Sequence, residues 1–294
     1  MRLKEILNIF NGFCMALADS VPGVSGGTIA FILGFYEQLL ESINNITSKK
    51  KEKIKESILF LAKLLFGWII GLVFSVAFLT KMFNENLYLM TSLFFGLTLS
   101  SIIYIVKTEM KVNVKKIGYT ILGILLVTVI SSFRTKLIHT DIHSLANLNL
   151  VEYIYVFISG MIAISAMVLP GISGSTLLLI LGIYIPVIEA IGDILKFNFS
   201  VLGGIFVLLL GICTGFVTSV RIIRRAFKKN RESMMHFVIG LTIGSLYSIS
   251  IGPTTMSKAN EVLNMDNFSI FGFSIGVLIL ILLEIFRKIA SNSR

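Results

Sequence analysis

The stretch Ala18–Gly34, ADSVPGVSGGTIAFILG, decides how this chain is read. It returns at Ala166–Gly182 as AMVLPGISGSTLLLILG. Each copy sets a proline, glycines and hydroxyls inside a run otherwise apolar enough for a membrane helix. Proline cannot continue a helix, but it suits the first turn of a new one. Each copy therefore reads as a helix that stops, turns and restarts.

The 294 residues around these phrases are 55% hydrophobic and only 14% charged. A water-soluble domain could not bury that much apolar surface, so an all-α, polytopic integral membrane protein is expected. Its net charge of +10 then belongs to cytoplasmic loops and anionic lipid heads, not to nucleic acid. Cys14 and Cys213 lie in apolar segments, which speaks against a disulfide framework. Arg2, Lys4 and the apolar run after them imitate a signal peptide. Asn8, Asn11 and Gly12 interrupt that run, and its small residues belong to the repeated phrase.

The repetition extends well beyond the two phrases. Gly12–Ile43 lies over Gly160–Ile191 without a gap. Pro22 meets Pro170, Gly23 Gly171, Ser25 Ser173, Gly26 Gly174, Thr28 Thr176, Gly34 Gly182, Tyr36 Tyr184 and Glu41 Glu189. Downstream, Gly67 and Gly71 meet Gly211 and Gly215, GLTLSS at Gly96 meets GLTIGS at Gly240, and Phe133-Arg134 meets Phe286-Arg287. Two copies of one unit are expected, 1–136 and 152–294, joined by an outside linker at 137–151. Each holds one interrupted segment, about 5–43 and 152–192, and three apolar spans. The spans fall near 58–80, 87–106 and 117–133, then 201–220, 233–250 and 270–286.

Lysine and arginine bias gives the crossing pattern. Suppose each interrupted segment returns to the side it left. One side then holds Arg2, Lys4, the lysines of 49–55 and 107–116, the basic residues of 221–231 and those of the C-terminus. The other holds only Lys81, Arg134, Lys136, Lys196 and Lys258. If each segment crossed once, the two sides would be nearly balanced. The first arrangement is expected, with both termini cytoplasmic. Three net crossings per half invert the second half against the first. The expected architecture is thus two inverted repeats, each with a re-entrant helical hairpin plus three transmembrane helices. The re-entrant form rests on short arms, the first of which carries Asn8, Asn11 and Asp19.

Irregular backbone inside a bilayer must be covered by protein or by a water-lined cavity. Pro22–Gly27 and Pro170–Ser175 are therefore expected to face the interior. Restarted helices aim unpaired N–H groups and a positive dipole end at mid-depth. Ser25, Thr28, Ser173, Ser175 and Thr176 add hydroxyls, and the pair of tips suits a phosphate-sized anion. The glycines equally suit close helix packing. Asp19, beside the first tip, reads as a cap for loop N–H groups or as a proton carrier. Glu37 and Glu41 share one face near the cytoplasmic mouth, and the recurrence of Glu41 as Glu189 points to a structural role. Lys63 and Arg221 are candidates to guide a head group, or to snorkel to the interface. The basic cluster Arg221, Arg224, Arg225, Lys228, Lys229 and Arg231 fixes topology and contacts lipid heads. His139, Asp141 and His143 carry ligand-type groups in an outside loop, but no metal and no cofactor is expected there.

The paired motifs GFCMALADSVPGVSGGTIAFILGFYE and LPGISGSTLLLILGIY resemble the polyprenyl-phosphate transporter family, over nearly the whole chain. The resemblance implies return of undecaprenyl phosphate, the lipid carrier of cell-wall sugars, from the outer to the inner leaflet of the cell membrane. It carries Asp19, Pro22, Gly23, Ser25, Gly26, Gly27, Thr28 and Glu37 as site residues, with Pro170, Gly171, Ser173, Gly174 and Ser175 from the second motif. Thr176 joins them by matching Thr28. Asp19 and Glu37 are the proton-coupling candidates. The second copy departs at both, with Met167 for Asp19 and Ile185 for Glu37, so any acid chemistry is one-sided. Two other functions are weighed: a small-anion carrier, and an integral-membrane polyprenyl-diphosphate phosphatase. Such an enzyme needs an arginine within the motif and acids around it, and neither motif contains Arg, Lys or His.

Cysteines introduced at Thr47 and Lys111 should react with a membrane-impermeant maleimide only from inside the cell. Those at Thr140 and Lys196 should react only from outside. Labelling of Thr47→Cys from outside would overturn the crossing pattern.

Overall fold

The computed structural model describes residues 2–19, 25–47, 51–75, 78, 80–109, 113–133, 142, 144–169, 172, 174–255 and 261–292. Among them are thirteen α-helices and no strand. The first half holds α1 (Arg2–Asp19), α2 (Gly26–Ile32), α3 (Tyr36–Thr47), α4 (Lys51–Phe74), α5 (Thr80–Glu85), α6 (Leu87–Glu109) and α7 (Ile117–Phe133). The second holds α8 (Leu150–Met167), α9 (Gly174–Ile180), α10 (Tyr184–Leu195), α11 (Leu202–Lys229), α12 (Arg231–Ile251) and α13 (Ile270–Asn292). Six of the helices are long and apolar enough to cross a membrane. The protein is a multi-pass membrane protein.

The spans expected from the sequence are all helical, with two differences at their ends. The one expected at 58–80 begins earlier, at Lys51; its α-helix is described to Phe74, and Ser75 and Phe78 are π-helical. The lysines and glutamates of 51–56 are good helix formers and simply prolong the apolar run. Similarly, α11 continues through the basic cluster to Lys229. Asn230 then starts α12 by accepting the Ser233 N–H at 3.2 Å. The interrupted segments also differ from a symmetric hairpin. Their first arms, α1 and α8, are single helices of 18 residues, roughly 27 Å at 1.5 Å per residue. By length and apolarity α8 counts among the six candidate spans. Their second arms are each broken in two.

That break is the same in both copies. Gly34 (φ 74°) and Gly182 (φ 69°) adopt the left-handed conformation that only glycine takes without strain. The residue after each glycine donates back across the turn, Phe35 N–H to Ala30 at 3.0 Å and Ile183 N–H to Leu178 at 2.9 Å. This is the six-to-one bond of a Schellman ending, which satisfies the last carbonyls of the short helix.

Helix pairing also repeats. α1 packs along α4, and α8 along α11. Contacts advance together along each pair: Gly67 against Ile9 and Gly71 against Phe13, then Gly211 against Phe157 and Gly215 against Met161. Both pairs are therefore parallel. α4 thus starts at the end of the bundle where α1 starts. The last helix of each half joins the other half. α7 runs parallel to α12, with Gly240 on Thr120 and Gly244 on Val127, and α6 runs parallel to α13, with Gly272 on Leu89 and Gly276 on Leu93. At the centre lie α6 and α12, the most buried of the spans. The start of α6 meets the chain just after α12, where the Tyr88 hydroxyl donates to the Glu261 carbonyl at 3.3 Å.

One end of the bundle collects the basic segments. Lys116 reaches Glu232 at 3.0 Å, Arg231 reaches Glu37 at 3.1 Å, and Arg224 reaches Glu41 at 3.7 Å. These contacts tie 113–116, 221–232 and the first interrupted segment together. This is termed the basic end below.

Close approach at the repeated glycines sets the helix spacing, because a Cβ at Gly67 would sit on the Ile9 carbonyl. Overpacking of this kind costs roughly 1–3 kcal/mol. Gly67→Ala should lower the thermal midpoint in detergent by several degrees. Gly118→Ala, where nothing lies within 4 Å of the added carbon, should leave it unchanged. Equal midpoints for the two variants would show that α1 and α4 do not touch at Gly67.

Candidate functional site

The first motif folds onto the end of α1. Asp19 closes that helix, and its carboxylate accepts the Gly26 N–H at 2.7 Å and the Trp68 indole N–H at 3.0 Å. The first is a cap of α2 supplied from seven residues upstream. Ser25, extended at φ −129° and ψ 147°, is the residue before the helix. Its side chain accepts the Thr28 N–H at 3.3 Å, its carbonyl accepts the same N–H at 2.9 Å, and its hydroxyl lies 3.2 Å from that of Thr28. Ser25 and Thr28 are buried. The Gly26 and Thr28 N–H groups at this helix start are thus engaged by Asp19 and Ser25, as a buried turn demands. Gly26 has to be glycine, since a Cβ would lie 2.7 Å from an Asp19 carboxylate oxygen.

Capping was one of two readings of Asp19, and the geometry realises it. The second motif reproduces the packing without the charge. There a Cβ on Gly174 would lie 3.3 Å from Cβ of Met167, which stands where Asp19 does. Trp68 was not singled out from the sequence, although a signal existed. The register that joins Gly67 to Gly211 joins Trp68 to Ile212, so the indole and the acid disappear together in the second copy.

The two motifs meet at a cavity of about 90 Å³. Asp19 and Gly27 face it from the first motif, and Met167 and Val168 from the second. Its remaining walls are apolar apart from the Tyr36 ring: Met15, Leu39, Leu40, Ile43, Ile164 and Phe216. The Tyr36 hydroxyl donates to the Val168 carbonyl at 2.8 Å and so links α3 to the end of α8. The space is open in part to the outside of the bundle. Its character is that of an apolar crevice with one acid at its edge.

The expected site residues divide into four groups. Asp19, Ser25, Gly26, Gly27 and Thr28 come together at the first tip, with Asp19 and Gly27 facing the cavity and the two hydroxyls turned toward each other. Pro22, Gly23, Pro170, Gly171 and Ser173 lie outside the described residues, as do His139, Asp141 and His143. For Ser175 and Thr176 only a backbone position in α9 is described, while Gly174 begins that helix, buried. The remaining three stand apart from the cavity. Glu37 is exposed and paired with Arg231. Lys63 is paired with Glu5 at 2.9 Å, between α4 and α1. Arg221 is half-buried on α11. Glu41 and Glu189 also differ, since Glu41 meets Arg224 while Glu189 is exposed on α10.

Comparison with known proteins follows the same outline. A family model described as undecaprenyl phosphate translocase-like matches residues 15–267. A Staphylococcus aureus protein named polyprenyl-phosphate transporter is 36% identical over 267 residues, covering 87% of this chain and 89% of the relative. A Vibrio cholerae protein of the same name is 33% identical over 269 residues, covering 87% and 80%. No solved structure matches the chain.

Asp19 and Gly26 are in direct contact, so their substitutions should couple, as contacting residues do by roughly 0.5–3 kcal/mol. Gly26→Ala should lower the thermal midpoint in the native background and much less in an Asp19→Ala background. Trp68 is the single tryptophan, so Asp19→Ala should also shift the emission of the protein. Equal costs of Gly26→Ala in both backgrounds, with unchanged emission, would remove Asp19 from this turn.

Proposed function

The chain belongs to the undecaprenyl phosphate translocase-like family and is a membrane transporter, not an enzyme; we propose that it returns undecaprenyl phosphate from the outer to the inner leaflet of the cell membrane, linked to protons. Its two halves, 1–136 and 152–294, act as inverted repeats with their interrupted segments facing each other, and both termini are cytoplasmic. The transport recycles the lipid carrier of cell-envelope polymers such as peptidoglycan.

One observation carries this reading beyond the family. Both motifs border a single crevice that is apolar along most of its wall and bears an acid and a helix start at its edge. That chemistry matches an isoprenoid lipid ending in phosphate. Free phosphate would need donors on every side, and the apolar walls offer it none.

The phosphate is held at the tips, by Pro22–Thr28 and by Pro170–Thr176. At the first tip it competes with an internal anion. The Gly26 N–H already donates to Asp19, and a carboxylate and a phosphate repel each other in a dry site. A proton on Asp19 relieves the repulsion and releases the N–H to the substrate. The energetics call for such a partner. A phosphate monoester carries roughly −1.5 to −2 at neutral pH. Moving each charge inward against an interior-negative potential costs about 2.3 kcal/mol per 100 mV. Return of the bare dianion thus opposes roughly 4–5 kcal/mol at 100 mV. Protons that travel with it cancel the charge. Glu37 is the weaker candidate for this role, because it faces Arg231 and not the cavity. The basic residues near the inner mouth, Lys63 and Arg221 among them, attract the head group.

The test is exchange of radiolabelled undecaprenyl phosphate in proteoliposomes, beside labelled inorganic phosphate. The lipid should exchange and inorganic phosphate should not. Gly26→Leu and Gly174→Leu should each abolish exchange, and an inward pH gradient should accelerate it. Asp19→Asn should lose that acceleration while still binding the lipid. Exchange of inorganic phosphate alone would favour a small-anion carrier. Intact pH-driven exchange in Asp19→Asn would exclude Asp19 as the proton carrier.

A further inference from the structure

The two copies share a sequence but not a packing. Tyr36 and Leu40 on α3 match Tyr184 and Ile188 on α10, one for one. Tyr36 and Leu40 are each 2% exposed, whereas Tyr184 is 37% and Ile188 51% exposed. The difference lies in what each helix rests on. α3 packs on α11 as well as on α4. The Tyr36 ring meets Phe227 edge-on at 6.0 Å between centroids, and Leu40 and Ile43 join a core with Val220 and Ile223. Glu37 reaches Arg231 and Glu41 reaches Arg224 at the rim. α10 makes no comparable contact with α4.

α11 runs unbroken to Lys229 and offers its last turns to α3. In the register of Gly67 and Gly211, Arg224–Lys229 corresponds to Thr80–Glu85. That is α5. The α10 face left open carries Glu189 beside Tyr184 and Ile188, and an acid is costly on a face that lipid covers permanently.

Two arrangements of one repeat in one molecule are the two ends of an exchange. We propose that Tyr36, Glu37 and Glu41, closing on Val168, Phe227, Arg224 and Arg231, form the gate at the basic end of the cavity. Transport swaps this seal for its counterpart, α10 on α4, at the opposite end. This structure is the state closed at the basic end. α3 supplies Tyr36, Leu39, Leu40 and Ile43 to the cavity wall, so its departure from α11 opens the cavity directly. The two rim ion pairs are partly exposed and individually weak. They fix where α3 lands, while the buried ring and leucine hold it. The inference rests on the transporter reading, and its test separates the two.

Glu41→Cys and Arg224→Cys are combined in protein carrying Cys14→Ala and Cys213→Ala. Disulfide closure should slow undecaprenyl phosphate exchange in proteoliposomes by about tenfold or more, and reduction should restore it. In a second arm, without activity, Ile188→Cys is labelled with a maleimide in detergent. Tyr36→Phe with Glu41→Gln weakens the seal and shifts population toward the state that covers α10, so labelling should slow by about threefold or more. Exchange as fast in the cross-linked as in the reduced protein overturns the gate, and so does a labelling rate indifferent to the seal. If the reduced protein does not exchange the lipid at all, the substrate reading falls, and the labelling arm still decides the gate.

Discussion

A helix interrupted within hydrocarbon has to satisfy its broken backbone from inside the protein, and the Asp19–Gly26 hydrogen bond is how this chain begins to do so. An unpaired polar group in an apolar interior costs several kcal/mol, and an isolated charge more. Each Asp19 oxygen therefore needs a donor. One comes from the restarted helix, the other from Trp68 on α4. The indole reaches the acid because α1 and α4 lie close, and they lie close because Gly12, Gly67 and Gly71 have no side chains. Ser25 takes up the next free N–H groups, and Gly34 closes the far end of α2. Removing the Asp19 carboxylate takes this partner from both the Gly26 N–H and the Trp68 indole.

The second copy keeps the backbone solution and discards the charge. Met167 packs against Gly174, Ile212 replaces the indole, and Gly182 makes the same left-handed turn as Gly34. The two copies thus share a turn, of which one carries an acid and the other an apolar side chain, and both border the same cavity.

The same divergence governs how the halves meet. The last helix of each unit lies along the other unit, α7 on α12 and α6 on α13, so neither unit encloses its own core. The contacts that could change without breaking this shared centre are peripheral ones, between an interrupted segment and the long helix beside it. α3 makes such a contact and α10 does not, although their sequences match. Where a bundle has a rigid centre and unequal edges, motion belongs to the edges.

The sequence by itself determined the helical class, the multi-pass membrane character and the recurrence of one phrase in two places. These follow from apolar run length and residue-by-residue identity, both of which are local or additive along the chain. It also marked Asp19 and the glycines of the first motif as special, because an acid and a helix break are both costly in a bilayer. Only the tertiary structure showed that Asp19 accepts the Gly26 N–H, that Trp68 shares its carboxylate, that Glu37 pairs with Arg231, and that Tyr36 is buried where Tyr184 is exposed. Each of those depends on a partner from a segment remote in sequence, 49 residues away for Trp68 and 194 for Arg231. Composition and periodicity record which residues seek burial or a partner; the partner itself is chosen when helices pack.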